Sequence, residues 1–144
     1  MSESRPVPPP DYVRDDHAFE DEVLVSSESL AGIDRLRAIM HRLRAPGGCP
    51  WDAEQSHESL VSNLLEEAYE VVDTIQRGDI EHLREELGDL LLQVVFHSEL
   101  AEGRGDFDFD AVAHEISEKL VRRHPHVFAY SEVNDTEGVL NQWD

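Results

Sequence analysis

Four acids in the stretch LLEEAYEVVDTIQRGDIEHLREELGDLLLQVVFH, Leu64 to His97, have the types and spacing to hold a cation. Glu67 and Glu70 stand three residues apart, and Glu86 and Asp89 repeat the interval. On a helix that spacing puts both carboxylates of a pair on one face, about one turn apart. Arg77-Gly78-Asp79 lies between the pairs, a connection short enough to make two helices antiparallel neighbours. All four carboxylates then converge on one small volume. Like charges there repel, and a hard divalent cation with oxygen ligands is the economical relief. Leu87, Leu90, Leu91, Leu92, Val94, Val95 and Phe96 surround the second helix on nearly every side. That helix should therefore be buried almost all round, with Asp89 inside its apolar run. A buried carboxylate needs a cation or a proton, because burying the bare charge is costly. The competing reading of these acids is a solvated face or a set of i,i+4 ion pairs.

The elements that must position them are helices. Residues 1–28 are a Pro-rich, acidic zone, read as a disordered tail in which Val23, Leu24 and Val25 could dock as a short strand-like segment. A first helix is expected from a cap among Ser26–Ser29, with a stripe of Leu30, Ile33, Leu36, Ile39, Met40 and Leu43, ended by Pro46-Gly47-Gly48. Met40 reads as core filler. Gly47 to Asp52 reads as a loop. The second helix starts after Ser56 and runs to about Gln76, with Leu60, Leu64, Ala68, Val71 and Ile75 facing the core. Gly78 closes it and Asp79 caps the third. After Gly103-Arg104-Gly105, Asp106 or Asp108 caps a fourth helix whose stripe is Phe109, Val112, Ile116 and Leu120. The fold class is all-α.

Composition narrows the partners. In 144 residues the net charge is −20, which argues against a nucleic-acid polymer or an anionic membrane surface, since both require a basic patch. A small polyphosphate remains compatible if metal ions stand between the two sets of anions. No apolar run has transmembrane length and the N-terminus lacks the regions of a signal peptide, so a cytoplasmic location is expected. Cys49 is the single cysteine. It cannot form an intrachain disulfide and reads as a small turn residue.

Other chemistry-bearing residues each have two readings. Gly47-Gly48 could offer backbone N–H groups to phosphate, but no GKS or GKT follows, which excludes a Walker-type site. Trp51 could stack on a base or plug the end of the bundle. His57 could contact a phosphate or be a solvated polar residue. Lys119, Arg122 and Arg123 are concentrated at the end of the fourth helix, where bases commonly complement the helix dipole. His124-Pro125-His126 breaks that helix and makes a weak zinc signal without a third ligand.

EEAYE followed by EELGD, preceded by GCPWD and followed by KLVRRHPHVF, resembles the MazG family of nucleoside triphosphate pyrophosphohydrolases over about Ile33 to Trp143. The resemblance implies a helical bundle completed by dimerisation (a homodimer or a dimer of dimers), comprising residues 29–144. It also implies hydrolysis of nucleoside triphosphates to monophosphate and pyrophosphate with Mg²⁺, for which Mn²⁺ could substitute. Glu67, Glu70, Glu86 and Asp89 would hold the metal and carry catalysis. Lys119 and Arg123 match positions that contact substrate phosphates in active relatives, with Arg122 behind them; Trp51 and Trp143 complete the candidate substrate contacts. GCPWD with RRHPHVF typifies the N-terminal domain of two-domain members, in which the first domain can be a catalytically weak dimerisation or regulatory module. Active relatives often carry an asparagine where this chain has Phe96.

Overall fold

The computed structural model describes residues 21–128, and every regular element among them is helical. They fall into two compact units, one reaching Asp108 and the other starting at Phe109. The first unit contains α1 (Asp21–Leu24), α2 (Gly32–Arg44), α3 (Pro50–Glu54), a 3-10 turn (Glu58–Leu60), α4 (Val61–Arg77) and α5 (Ile80–Gly103). The second contains α6 (Phe109–Arg122) and α7 (Pro125–Phe128).

The α4–α5 hairpin is the centre of the first unit, and its junction forms as expected. Gly78 takes the left-handed conformation (φ 69°, ψ 24°) that a side chain disfavours. The N–H groups of Gly78 and Asp79 then reach back to the carbonyls of Ile75 and Thr74 at 3.1 and 3.0 Å. Asp79 caps α5 at once: its carboxylate accepts from the His82 backbone at 3.2 Å. At the other end of α4, Ser56 and Ser59 exchange backbone-to-hydroxyl hydrogen bonds at 2.9 and 3.1 Å. These bonds brace the 3-10 turn Glu58–Leu60, and α4 itself begins at Val61, later than the start after Ser56 that the sequence suggests.

Three expectations change. No serine caps α2; it starts at Gly32 behind Ala31, whose side chain makes no capping bond. Ser26 instead accepts from the Glu28 backbone in a local turn, the competition short hydroxyl side chains offer to helix starts. The segment around Val23 and Leu24 forms the helical turn α1 rather than a strand-like piece. Leu24 is buried, its carbonyl accepts from Arg35 Nε at 3.0 Å, and Asp21 pairs with Arg42 at 2.7 Å. Within the expected 47–52 loop, Pro50 opens the short helix α3, the first-turn position where its missing N–H is harmless.

The core gathers Met40, Leu60, Val71, Val95, Phe96, Leu100 and Ala101. The stripe expected for α4 holds at Leu60 and Val71, with Leu64 and Ala68 half-buried, and departs from expectation at its end. Ile75 is 58% exposed, and Thr74 takes the buried place. The Thr74 hydroxyl is satisfied by the carbonyls of Val71 and Glu70 at 2.8 and 3.1 Å. α5 is not buried all round in the single chain: it is largely buried from Val95 to Ala101, but Leu87, Leu91 and Val94 are 40–48% exposed. One α4 helix covers one face of α5, and its apolar surface extends beyond that face. No helix among the described residues is long and apolar enough to cross a membrane.

Candidate metal and nucleotide site

The helical hairpin brings Glu67 of α4 together with Glu86 and Asp89 of α5: one carboxylate oxygen from each lies within 4.8 Å of the others. None of the three is fully buried. Asp89 thus differs from the burial expected for it inside an apolar run. Burial raises the Glu67 carboxyl above its ordinary value; the charges of Asp89, Glu66 and Glu70 raise it further, and a hydrogen bond with Glu86 opposes them. Glu86 is raised as well, by burial first and then by Asp89, Glu70, Glu67 and Glu85. Glu70 is the outer member: its charge acts on Glu67 and Glu86, but it is not one of the three converging ligands.

An all-carboxylate donor set whose members oppose each other's ionisation fits a hard divalent cation. Asp73, one turn further along α4, is held by Arg77 at 2.9 Å. Arg77 also bonds Asp79 at 3.2 Å, so this base serves the helix junction rather than the carboxylate cluster.

The other candidates lie on other elements. Lys119 and Arg122 lie in the last turn of α6, and the Arg123 backbone continues the helical pattern by donating to the Lys119 carbonyl at 3.0 Å. Lys119 and Arg123 therefore lie one turn apart on the same side of that helix end. Trp143 lies outside the described residues. Trp51, on α3, is 53% exposed and meets the buried Phe96 edge-on, with ring centroids 6.3 Å apart. In the Gly47-Gly48 loop the N–H groups of Gly48 and Cys49 are already engaged by backbone carbonyls. Gly48 N–H donates to the Ala45 carbonyl at 2.9 Å and Cys49 N–H to the Leu43 carbonyl at 2.7 Å, closing the end of α2. A cavity of about 580 Å³ is lined partly by this loop, Arg35 and Arg42, and shares no residue with the carboxylate cluster.

Two constellations escape sequence reasoning. His57 and His97 stack with ring centroids 5.0 Å apart and Nδ1 atoms 2.7 Å apart. His41 on α2 meets Glu99 and Glu102 on α5. The partners in each case are 40 or more positions apart in the chain, beyond any local spacing rule. The one available signal was an acid, Glu99, within the apolar C-terminal half of α5.

A profile of the MazG nucleotide pyrophosphohydrolase domain matches residues 55–128, just over half the chain and all four acids. The chain belongs to the MazG family. Among MazG relatives, the nucleoside triphosphate pyrophosphohydrolase of Escherichia coli K12 is 53% identical over 113 residues, covering 78% of this chain and 43% of that protein. The Thermotoga maritima "Nucleoside triphosphate pyrophosphohydrolase/pyrophosphatase MazG" is 50% identical over 103 residues, 70% of this chain and 40% of that protein. The chain thus spans about two-fifths of the length of these MazG proteins. The crystal structure of a mazG-related protein from Thermotoga maritima superposes with a TM-score of 0.64 at 28% identity, over 77% of this chain and 95% of that one.

Proposed function

We propose that this MazG domain hydrolyses nucleoside triphosphates to nucleoside monophosphate and pyrophosphate with Mg²⁺, Mn²⁺ being a possible substitute. The observation that carries the reading is the convergence of Glu67, Glu86 and Asp89 across the α4–α5 hairpin. The activities named for the two full-length MazG relatives support it. Glu67, Glu86 and Asp89, with Glu70 beside them, hold the cation. When bound, a divalent ion there shields phosphate charge and acidifies water.

The residues of the chain supply the rest. Glu67, whose carboxyl is raised above its ordinary value by burial and the neighbouring acids, takes a proton from the attacking water. Lys119 and Arg123, with Arg122 behind them, bind the outer phosphates, where charge accumulates as the bond to pyrophosphate breaks. Trp51 and Trp143 are the further substrate contacts.

A second copy of the chain covers the open apolar faces of the hairpin. Leu65, Tyr69, Val72 and Ile75 on α4 and Leu87, Leu91 and Val94 on α5 are all 40–68% exposed, an extent of apolar surface typical of interfaces. The assembly is a homodimer or a dimer of dimers, acting on nucleotides in the cytoplasm. Incubating the purified chain with each nucleoside triphosphate and Mg²⁺, and assaying monophosphate and pyrophosphate, tests the activity.

One observation favours a second reading, a MazG dimerisation or regulatory module with weak catalysis. Phe96 stands where active relatives often have an asparagine, and it is 2% exposed beneath Trp51, so it makes no nucleotide contact. Absence of monophosphate with all nucleotides, from a chain that still dimerises, would select that reading.

A further inference from the structure

We infer that Gln93 is a specificity-determining residue for the sugar of the nucleotide: its buried side-chain oxygen accepts a hydrogen bond from a sugar hydroxyl. The inference rests on nucleotide binding at the acid cluster, as proposed above. Gln93 is 6% exposed, yet its Oε1 has no hydrogen-bond partner among the described residues. Core positions nearby on α5 hold Val95, Phe96 and Leu100, and an apolar side chain at 93 would avoid the cost of an unmet amide. Gln93 follows Asp89 by four residues and Glu86 by seven, so the three share one face of the helix. Long helical side chains lean back toward the N-terminus, over the turn before them. The Gln93 amide is therefore carried toward Asp89, which meets Glu86 and Glu67 in the carboxylate cluster.

That face of α5 is satisfied on one side of the acids and unsatisfied on the other. Toward the N-terminus, His82 stands four residues before Glu86 and is held by Asp79 at 2.7 Å. Arg77 bonds Asp79 and Asp73 there, at 3.2 and 2.9 Å. Toward the C-terminus, Gln93 Oε1 is unmet, and so is Nε2 of His97, four residues further on. A nucleotide held through its phosphates at the acids continues into its sugar. The next turn of the face that offers an unmet acceptor is the turn of Gln93. Sugar hydroxyls donate hydrogen bonds, and an amide oxygen accepts them. Gln93 takes no proton and holds no metal in this role; it selects nucleotides that carry the hydroxyl.

The test gives the full chain Mg²⁺ and ATP, GTP, CTP or UTP, each beside its 2′,3′-dideoxy analogue. The unmodified chain should favour the hydroxylated nucleotide by about 10-fold or more in kcat/KM, chiefly through KM. Gln93→Met, which keeps the side chain's length and removes the acceptor, should bring that ratio close to one. Gln93→Leu should do the same, and both variants should keep or raise the melting temperature because an unmet buried amide is gone. Hydrolysis without preference in the unmodified chain, or a preference that survives both substitutions, would overturn the role of Gln93 and leave the hydrolytic function standing. A chain that neither binds nor hydrolyses any of these nucleotides would overturn the hydrolytic function, and this inference with it.

Discussion

The Nδ1 atoms of His57 and His97 stand 2.7 Å apart between parallel rings, so only one of the two nitrogens can carry a proton. One ring is on the turn before α4 and the other is in the second half of α5, which fastens the start of one helix to the middle of its partner. Burial lowers the His97 pKa below its ordinary 6.5, the His57 charge lowers it further, and Glu58 pulls the other way. Its Nε2 is buried without a hydrogen-bond partner among the described residues.

That arrangement sets a pH dependence. Below about pH 6.5 the unfolded chain takes up a proton at His97 that the folded protein resists, so stability falls as pH falls through that value toward the lower folded one. Denaturant melts between about pH 7.5 and about pH 5 should show this loss. His97→Gln should flatten it, and an equally steep profile in the variant would assign the loss to other groups.

At the carboxylate cluster the sign is opposite. Glu86 has a folded pKa above its ordinary 4.5, so its contribution to stability is present below that value and is lost as pH rises through the folded one. At neutral pH the metal-free protein is therefore held together against its own acids. Glu86→Gln should raise the melting temperature of metal-free protein at pH 7 while lowering pyrophosphate release by about 100-fold or more, the upper range seen even for indirect partners of metal ligands. A variant that is destabilised, or that keeps full turnover, contradicts the assignment.

Mg²⁺ should raise the melting temperature of the unmodified chain at neutral pH, since an ion that binds only the folded state stabilises it. The gain should shrink as pH falls toward about 4.5, where protons displace the metal from the carboxylates. Chelation should abolish hydrolysis reversibly. A melting temperature indifferent to Mg²⁺ at pH 7 would remove the site.

Gly48 is fixed by space. A Cβ at this position would lie 2.4 Å from the backbone carbonyl oxygens of Arg42 and Leu43, which cannot turn aside as a flexible side chain would. Gly48→Ala should destabilise by about 1–3 kcal/mol or more, in the range of overpacking. Gly88, inside α5, has nothing within 4 Å of its would-be Cβ, and Gly88→Ala should stabilise by roughly 0.5–1 kcal/mol. Urea melts of the pair measure both signs.

Trp51 tests whether the ring caps the core or serves the substrate. Its edge-on contact with Phe96 predicts that Trp51→Ala lowers stability by about 1 kcal/mol. If the exposed part of the ring also stacks on a base, KM for nucleotide rises in the same variant. An unchanged melt would show that the Phe96 contact contributes nothing.

What the sequence determined by itself was local. The three-residue interval of Glu67 and Glu70, repeated in Glu86 and Asp89, needs only helix geometry to place each pair on one face. Gly78 and Asp79 turn α4 into α5 through backbone conformation and a cap three residues away, again within reach of a spacing rule. Tertiary structure decided which of those acids meet: Glu67, Glu86 and Asp89 converge while Glu70 stays at the edge, because the roll of α4 against α5 follows packing. The same roll buries Thr74 and exposes Ile75. It also decided the pairs His57–His97 and His41–Glu99, whose members are distant in the chain and carry no shared pattern. A side chain's neighbours across a bundle depend on how helices pack, and that is a property of the whole fold rather than of any interval in the sequence.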